Sequence, residues 1–120
     1  ARTGNTVGKT YLHEDGQEPA VYAGYLIRFR TDENVLRARF LFYFSKSLKY
    51  ENFKRKMSKV GAQPNINSEE YKSMHLPLFD LETQDRIIKR LDMLKNQKAQ
   101  ADNIIMNSRS LQKSLINQIF

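Results

Sequence analysis

From about Asp80 to Phe120 the chain reads as one uninterrupted amphipathic helix, and this run constrains the fold more than any other feature. No proline or glycine interrupts it. Asp80 suits an N-cap, and Glu82 and Asp85 stand in the first turns, where the helix dipole favours anions. Apolar residues recur at Ile87, Leu91, Leu94, Ala101, Ile105, Leu115 and Ile119, at spacings of three and four or their multiples. Lys98, Ser108 and Gln112 are the polar members of that seam, and Ile88, Ile104, Leu111 and Ile116 widen it. About 38 helical residues extend roughly 57 Å. A seam of that length wants a second helix against it. The alternative, a helix folded back on its own head, leaves the roughly 80 preceding residues to cover about ten turns. The division expected is a head, residues 1–79, and a spacing or assembling arm, residues 80–120.

A head of that size is marginal for a fold standing alone, so a partner or a missing segment is expected, and the opening Ala1-Arg-Thr-Gly4 reads like the interior of a strand–turn unit. The chain of 120 residues has no cysteine, which excludes a disulfide framework and thiolate metal sites and fits a reducing, cytoplasmic setting. It has no apolar run long enough to span a bilayer and no signal-peptide pattern. The net charge is +7, a balance that favours nucleic acid or an acidic surface as partner. The excess is clustered: Lys46, Lys49, Lys54, Arg55, Lys56 and Lys59 face a single acidic residue, Glu51, between Phe40 and Gln63. Such clustering is what attraction to phosphates requires.

Along the head, Gly4 and Gly8 among polar residues predict a tight turn leading into a short strand, Thr10 to Leu12. His13 to Pro19 reads as a polar loop. Val21 to Arg30 alternates β-branched and aromatic residues and predicts a strand. Asn34 to Ser47 fits both periods; the Thr31-Asp-Glu-Asn34 cluster of potential caps tips it to helix. Tyr50 to Val60 predicts a second helix, stopped by Gly61. Ser68-Glu-Glu-Tyr71 predicts a capped turn, followed by a brief strand around Met74 to Leu78. The fold class expected is α+β, a small mixed head followed by one long C-terminal helix.

Several motifs compete for a chemical role. Gly4-Asn-Thr-Val-Gly8-Lys9-Thr10 suggests a P-loop, but it has three residues between the glycines where that motif needs four, and no helix pattern starts at the lysine. The same turn, carrying Arg2, Thr3, Asn5 and Lys9, suits DNA phosphates or base edges; the plain alternative is that its glycines merely make the turn. His13 and His75 lack ligand spacing with Asp or Glu. No nucleophile–base constellation occurs, and acidic pairs such as Glu14-Asp15 and Glu69-Glu70 read as solvated faces or helix starts. In Gln63-Pro-Asn-Ile-Asn67 the proline holds its predecessor extended and the asparagines satisfy local backbone, a structural role first. Its Asn and Gln could read an adenine edge only if the loop reached a groove.

The order Arg2-Thr-Gly-Asn-Thr-Val-Gly-Lys9, Phe40-Leu-Phe-Tyr-Phe-Ser-Lys46, Gln63-Pro-Asn-Ile-Asn67 and Leu76-Pro-Leu-Phe-Asp-Leu-Glu-Thr-Gln84, running into Arg86-Ile-Ile-Lys-Arg-Leu91, closely resembles the specificity subunit of type I restriction-modification enzymes. The resemblance covers nearly the whole chain. It departs at Phe79-Asp80, where the family tends to have a second proline, and at Thr83-Gln84, where Glu-Gln is common. It implies helix for Asn34 to Ser47. Family members usually carry two recognition domains and two spacer helices, so it implies half of one such subunit, lacking the front of its target recognition domain.

What the resemblance further implies is a function. Such a subunit reads a two-part target in double-stranded DNA. Its helices pair as an antiparallel coiled coil that sets the spacing and docks the methyltransferase (modification) subunits. S-adenosylmethionine, ATP and Mg are then expected on the methyltransferase and restriction subunits, with no cofactor, metal or catalytic residue in this chain. The phosphate contacts expected are Lys9, Lys46, Lys49, Lys54, Arg55, Lys56 and Lys59, the base contacts Arg2, Thr3 and Asn5. Helix pairing is expected through Ile87, Leu91, Leu94, Ala101, Ile105, Leu115 and Ile119, with a second copy or the other half of the subunit. The competing reading is a coiled-coil protein-interaction module that touches no DNA.

Overall fold

The computed structural model describes residues 1–57 and 64–120. Among the described residues a 3-10 turn at Gly4–Thr6 is followed by four α-helices: α1 (Ala38–Phe44), α2 (Leu48–Met57), α3 (Ser68–Lys72) and α4 (Leu81–Ile119). The chain divides into two compact units, Ala1–Asp85 and Arg86–Phe120, so the first turn of α4 belongs to the first unit.

This architecture corrects the α+β expectation. Among the described residues there is no sheet; β-pairing is limited to one isolated antiparallel bridge, Thr3 with Asn65. None of the three predicted strands forms. In Val21–Arg30 the alternation is real, but Leu26 donates to the Ala23 carbonyl at 2.9 Å in a turn over Gly24, which breaks the run. At Met74–Leu78 the Met74 amide closes back on the Tyr71 carbonyl, 3.1 Å, and Pro77 has no amide hydrogen to give a ladder. Thr10 turns its hydroxyl to Ser45 and finds no neighbouring strand. Alternation describes two faces; a strand also needs a partner edge, and none of these segments has one among the described residues.

The first two helices also start elsewhere than expected, while α3 and α4 start where their capping residues predict. Asp32 gathers the Val35 and Leu36 amides on its carbonyl at 2.9 and 2.8 Å and the Asn34 amide on its carboxylate at 3.0 Å. Arg37 remains extended, so α1 begins only at Ala38. The second helix begins at Leu48 rather than Tyr50; Val60 and the expected stop at Gly61 lie outside the described residues. Asn67 caps α3 in a reciprocal box: its side chain accepts the Glu70 amide at 2.9 Å, and the Glu70 carboxylate accepts the Asn67 amide at 2.8 Å. Asp80 caps α4, accepting the Thr83 amide at 2.7 Å.

Phe44, Tyr50, Ile66 and Tyr71 form the core of the first unit, with Val7, Ile27, Leu41, Phe53, Met57, Met74 and Leu76 packed around them. Each of those four buried side chains contributes about 1.5–3 kcal/mol by leaving water. The same unit also holds a buried polar joint. Gln84, in the first turn of α4, is fully buried. Its carbonyl oxygen accepts the Arg37 amide at 2.9 Å, and its nitrogen donates to the carbonyls of Val35 at 2.9 Å and Phe79 at 2.7 Å. Arg37 in turn grips Asp85 with two donors, each at 2.9 Å.

Candidate nucleic-acid interface

The two sequence motifs that stand far apart in the chain meet in the fold. Arg2 and Gly4 pair with Pro64 and Ile66: the Gly4 amide donates to the Pro64 carbonyl at 2.9 Å and the Ile66 amide to the Arg2 carbonyl at 2.8 Å. The Arg2 amide donates to the Tyr25 carbonyl, 2.9 Å, and its Nε reaches the Asn65 side chain at 3.4 Å. Ile66, fully buried, anchors this junction in the core. Pro64 and Asn65 thus serve structure, as expected from proline's fixed backbone.

Beyond the junction the chain makes a closed loop, Gly4 to Lys9. Gly4 and Gly8 hold positive φ, 69° and 75°, the left-handed region that other residues adopt at a cost. The Val7 amide donates to the Gly4 carbonyl (3.0 Å), Gly8 to Ala1 (2.8 Å) and Lys9 to Thr6 (2.9 Å). The amides of Gly4, Val7, Gly8 and Lys9 are therefore spent inside the protein, and no helix starts at Lys9. A nucleotide P-loop needs those donors turned outward. What the loop offers outward is side chains: Asn5, Thr6 and Lys9 are exposed.

Helix α2 supports the loop from below. The Tyr50 hydroxyl donates to the Gly8 carbonyl at 2.9 Å, and the Tyr71 hydroxyl from α3 donates to the Ala1 carbonyl at 3.3 Å. Burial pushes both phenols above their ordinary range. The Lys54 stem lies over Gly8, so closely that a Cβ there would collide with Lys54 Cδ. Its ammonium is paired with Glu51 at 2.8 Å. Lys46 donates to the Thr10 hydroxyl at 2.7 Å and stands 4.5 Å from the centre of the Phe42 ring. Desolvation, and then the neighbouring Lys54 charge, lower its pKa.

The expected cationic patch is in fact split. Glu51, Lys54 and Arg55 face Val7 on the loop side of α2. Lys49, Asn52 and Lys56 recur at three and four residues on the other side and line a groove of about 400 Å³ floored by Phe53, Met57 and Met74. Arg55 bonds the Asn52 side chain, whereas Lys49 and Lys56 make no hydrogen bond or ion pair among the described residues. Lys59 lies outside the described residues. Of the expected base contacts, Arg2 and Thr3 are half-buried in the junction with Asn65, and Asn5 is exposed. Thr6, beside it at the tip, was not singled out from sequence; its place on the turn between the two glycines was the available signal.

Neither histidine joins a metal cluster: among the described residues no group of three or more His, Asp or Glu could hold an ion. Along α4, Ile87 and Leu91 are half-buried, while Leu94, Ala101, Ile105, Leu115 and Ile119 are exposed. Exposure continues through Ile104, Met106, Leu111 and Ile116. No helix among the described residues is long and apolar enough to cross a membrane.

No curated protein and no solved structure matches the chain significantly. A family model does: that of the type I restriction modification DNA specificity domain, over residues 2–106. The match takes in the loop, the Pro64–Ile66 junction beneath it, the α2 lysines and the larger part of α4, and on that evidence the chain belongs to the family of type I restriction-modification DNA specificity domains.

Proposed function

We propose that the chain reads double-stranded DNA with the loop face of the 1–79 head, the tip residues Asn5 and Thr6 addressing base edges and Lys9, Lys46 and Arg55 addressing phosphates. The observation that carries this reading is the loop's construction. The amides of Gly4, Val7, Gly8 and Lys9 are consumed internally, its shape is held by hydrogen bonds from Tyr50 and Tyr71, and polar side chains project from it. A backbone already held in place loses little entropy on binding, and amide and hydroxyl groups suit groove edges. Within the restriction-modification complex the arm, 80–120, pairs antiparallel with a second helix through its exposed apolar residues and so spaces the halves of a bipartite target. Methyl transfer from S-adenosylmethionine, and cleavage with ATP and Mg, are assigned to the methyltransferase and restriction subunits, and the assembly works in the cytoplasm.

A salt titration of binding to random-sequence duplex tests the reading. Lys9→Gln is expected to lower the slope of log K against log salt by about 0.9, the value of one lost phosphate contact. Binding that is absent in wild type, or a slope that no substitution on this face alters, would favour a protein-interaction module instead.

A further inference from the structure

We propose that Lys54 acts on DNA recognition through its methylene stem and not its charge: it is a positioning residue that fixes the Gly4–Lys9 backbone from below, while its ammonium serves to neutralise Glu51. The proposal rests on the DNA-recognition reading above and removes Lys54 from the phosphate contacts.

Three observations converge on it. The stem atoms Cγ, Cδ and Cε all lie over Gly8, in the space that a side chain at that position would fill. Only about a fifth of the side chain is exposed, so the stem is covered while the head group is held beside α2. Lysine commonly buries its stem along apolar surface and keeps the charged end in a polar setting. Here that end meets Glu51 at 2.8 Å and approaches the Tyr50 ring at 5.7 Å. The Tyr50 hydroxyl fastens the Gly8 carbonyl and the Lys54 stem covers its Cα, so one turn of α2 restrains the loop's second glycine from two directions. The remaining acidic group on this side, Glu51, would repel a phosphate if left uncompensated. Pairing it with Lys54 leaves Lys9, Lys46 and Arg55 as the cations available to DNA.

The charge and the stem separate experimentally in a Glu51→Gln background, which removes the partner charge. Lys54→Met keeps the stem there; Lys54→Ala deletes it. Amide hydrogen exchange at Val7, Gly8 and Lys9 reads the loop directly, without DNA. The Met double variant is expected to exchange within about twofold of wild type and the Ala double variant about tenfold faster, with unchanged helicity in both. On random-sequence duplex the Met double variant should keep the salt slope of Glu51→Gln alone. Selection from a randomised duplex pool should enrich a sequence with the Met double variant and lose that enrichment with the Ala double variant. Equal exchange in the two, or a slope in the Met double variant lower by about 0.9, overturns the proposal. Wild type that binds no duplex would defeat the recognition reading alone, because the exchange comparison still decides the role of the stem.

Discussion

Gln84 accepts the Arg37 amide hydrogen at 2.9 Å across 47 residues of sequence, and in doing so joins the start of α4 to the start of α1. The side chain is fully buried and every polar atom of it is used, the nitrogen by Val35 and Phe79. The joint is thus a buried network with all members satisfied, the condition under which polar burial is tolerated.

Removing that amide strands one donor and two acceptors. Gln84→Ala is expected to lower unfolding free energy by about 2–4 kcal/mol, read from the urea midpoint. Gln84→Glu, which replaces the donating nitrogen by an acceptor facing two carbonyls, should be at least as damaging. A midpoint unchanged in both would show that Gln84 does not hold the two helix starts.

Asp85 carries a pH signature. Its carboxyl is held below the ordinary carboxylate range, first by the hydrogen bonds from Arg37 and then by that residue's charge, with desolvation opposing. A carboxyl with a folded pKa below its unfolded one stabilises fully above the unfolded value, near 3.8, and loses that stabilisation as pH falls toward the folded value. Asp85→Asn is therefore expected to be less stable than wild type at neutral pH and to approach it as pH drops below about 4. Thermal melts between pH 2.5 and 7 check this; curves that stay parallel across the range would contradict it.

Gly8 tests the loop from the other side. Alanine there faces both a positive φ and the Lys54 stem. Gly8→Ala should cost about 1–2 kcal/mol from the backbone alone, and more from the collision. Tyr50→Phe, which only deletes the hydroxyl on the Gly8 carbonyl, should cost about 1 kcal/mol. Both should speed amide exchange at Gly8 and Lys9, and a slow, wild-type rate in Gly8→Ala would refute the geometry.

The exposed apolar residues of α4 predict self-association or pairing with a second helix. Ile105→Asp or Leu115→Asp should each weaken association at least about tenfold, the equivalent of losing one buried aliphatic side chain. Sedimentation velocity at micromolar concentrations measures it. A wild-type chain that remains monomeric at those concentrations would leave the second helix to be supplied by a different polypeptide.

What the sequence disclosed follows the range of the interactions. The run from Leu81 to Ile119 and its cap at Asp80 are decided by neighbours three or four residues apart, and spacing alone exposes them; at Ser68–Tyr71 it shows a capped turn, but not its Asn67–Glu70 box. The Lys49/Lys56 and Lys54/Arg55 faces were also within reach, since helical periodicity places them on opposite sides of α2; counting charge along the chain merged them. Val21–Arg30 misled because alternation says nothing of whether a neighbouring edge exists. Gln84 drew no structural reading from sequence, because its partners Val35, Arg37 and Phe79 are assembled only by tertiary folding. Arg2 and Thr3 were read as outward groups for the same reason: their pairing with Asn65 spans more than 60 residues.

The Gly4–Lys9 turn owes its path to main-chain bonds, two glycines and props from α2 and α3, and nothing in that path depends on the identity of residues 5 and 6. Those two positions can therefore be exchanged like type in a fixed frame. Under the proposed DNA-reading role, a protein built so acquires a new target preference by single substitutions at the tip, with its folding left untouched.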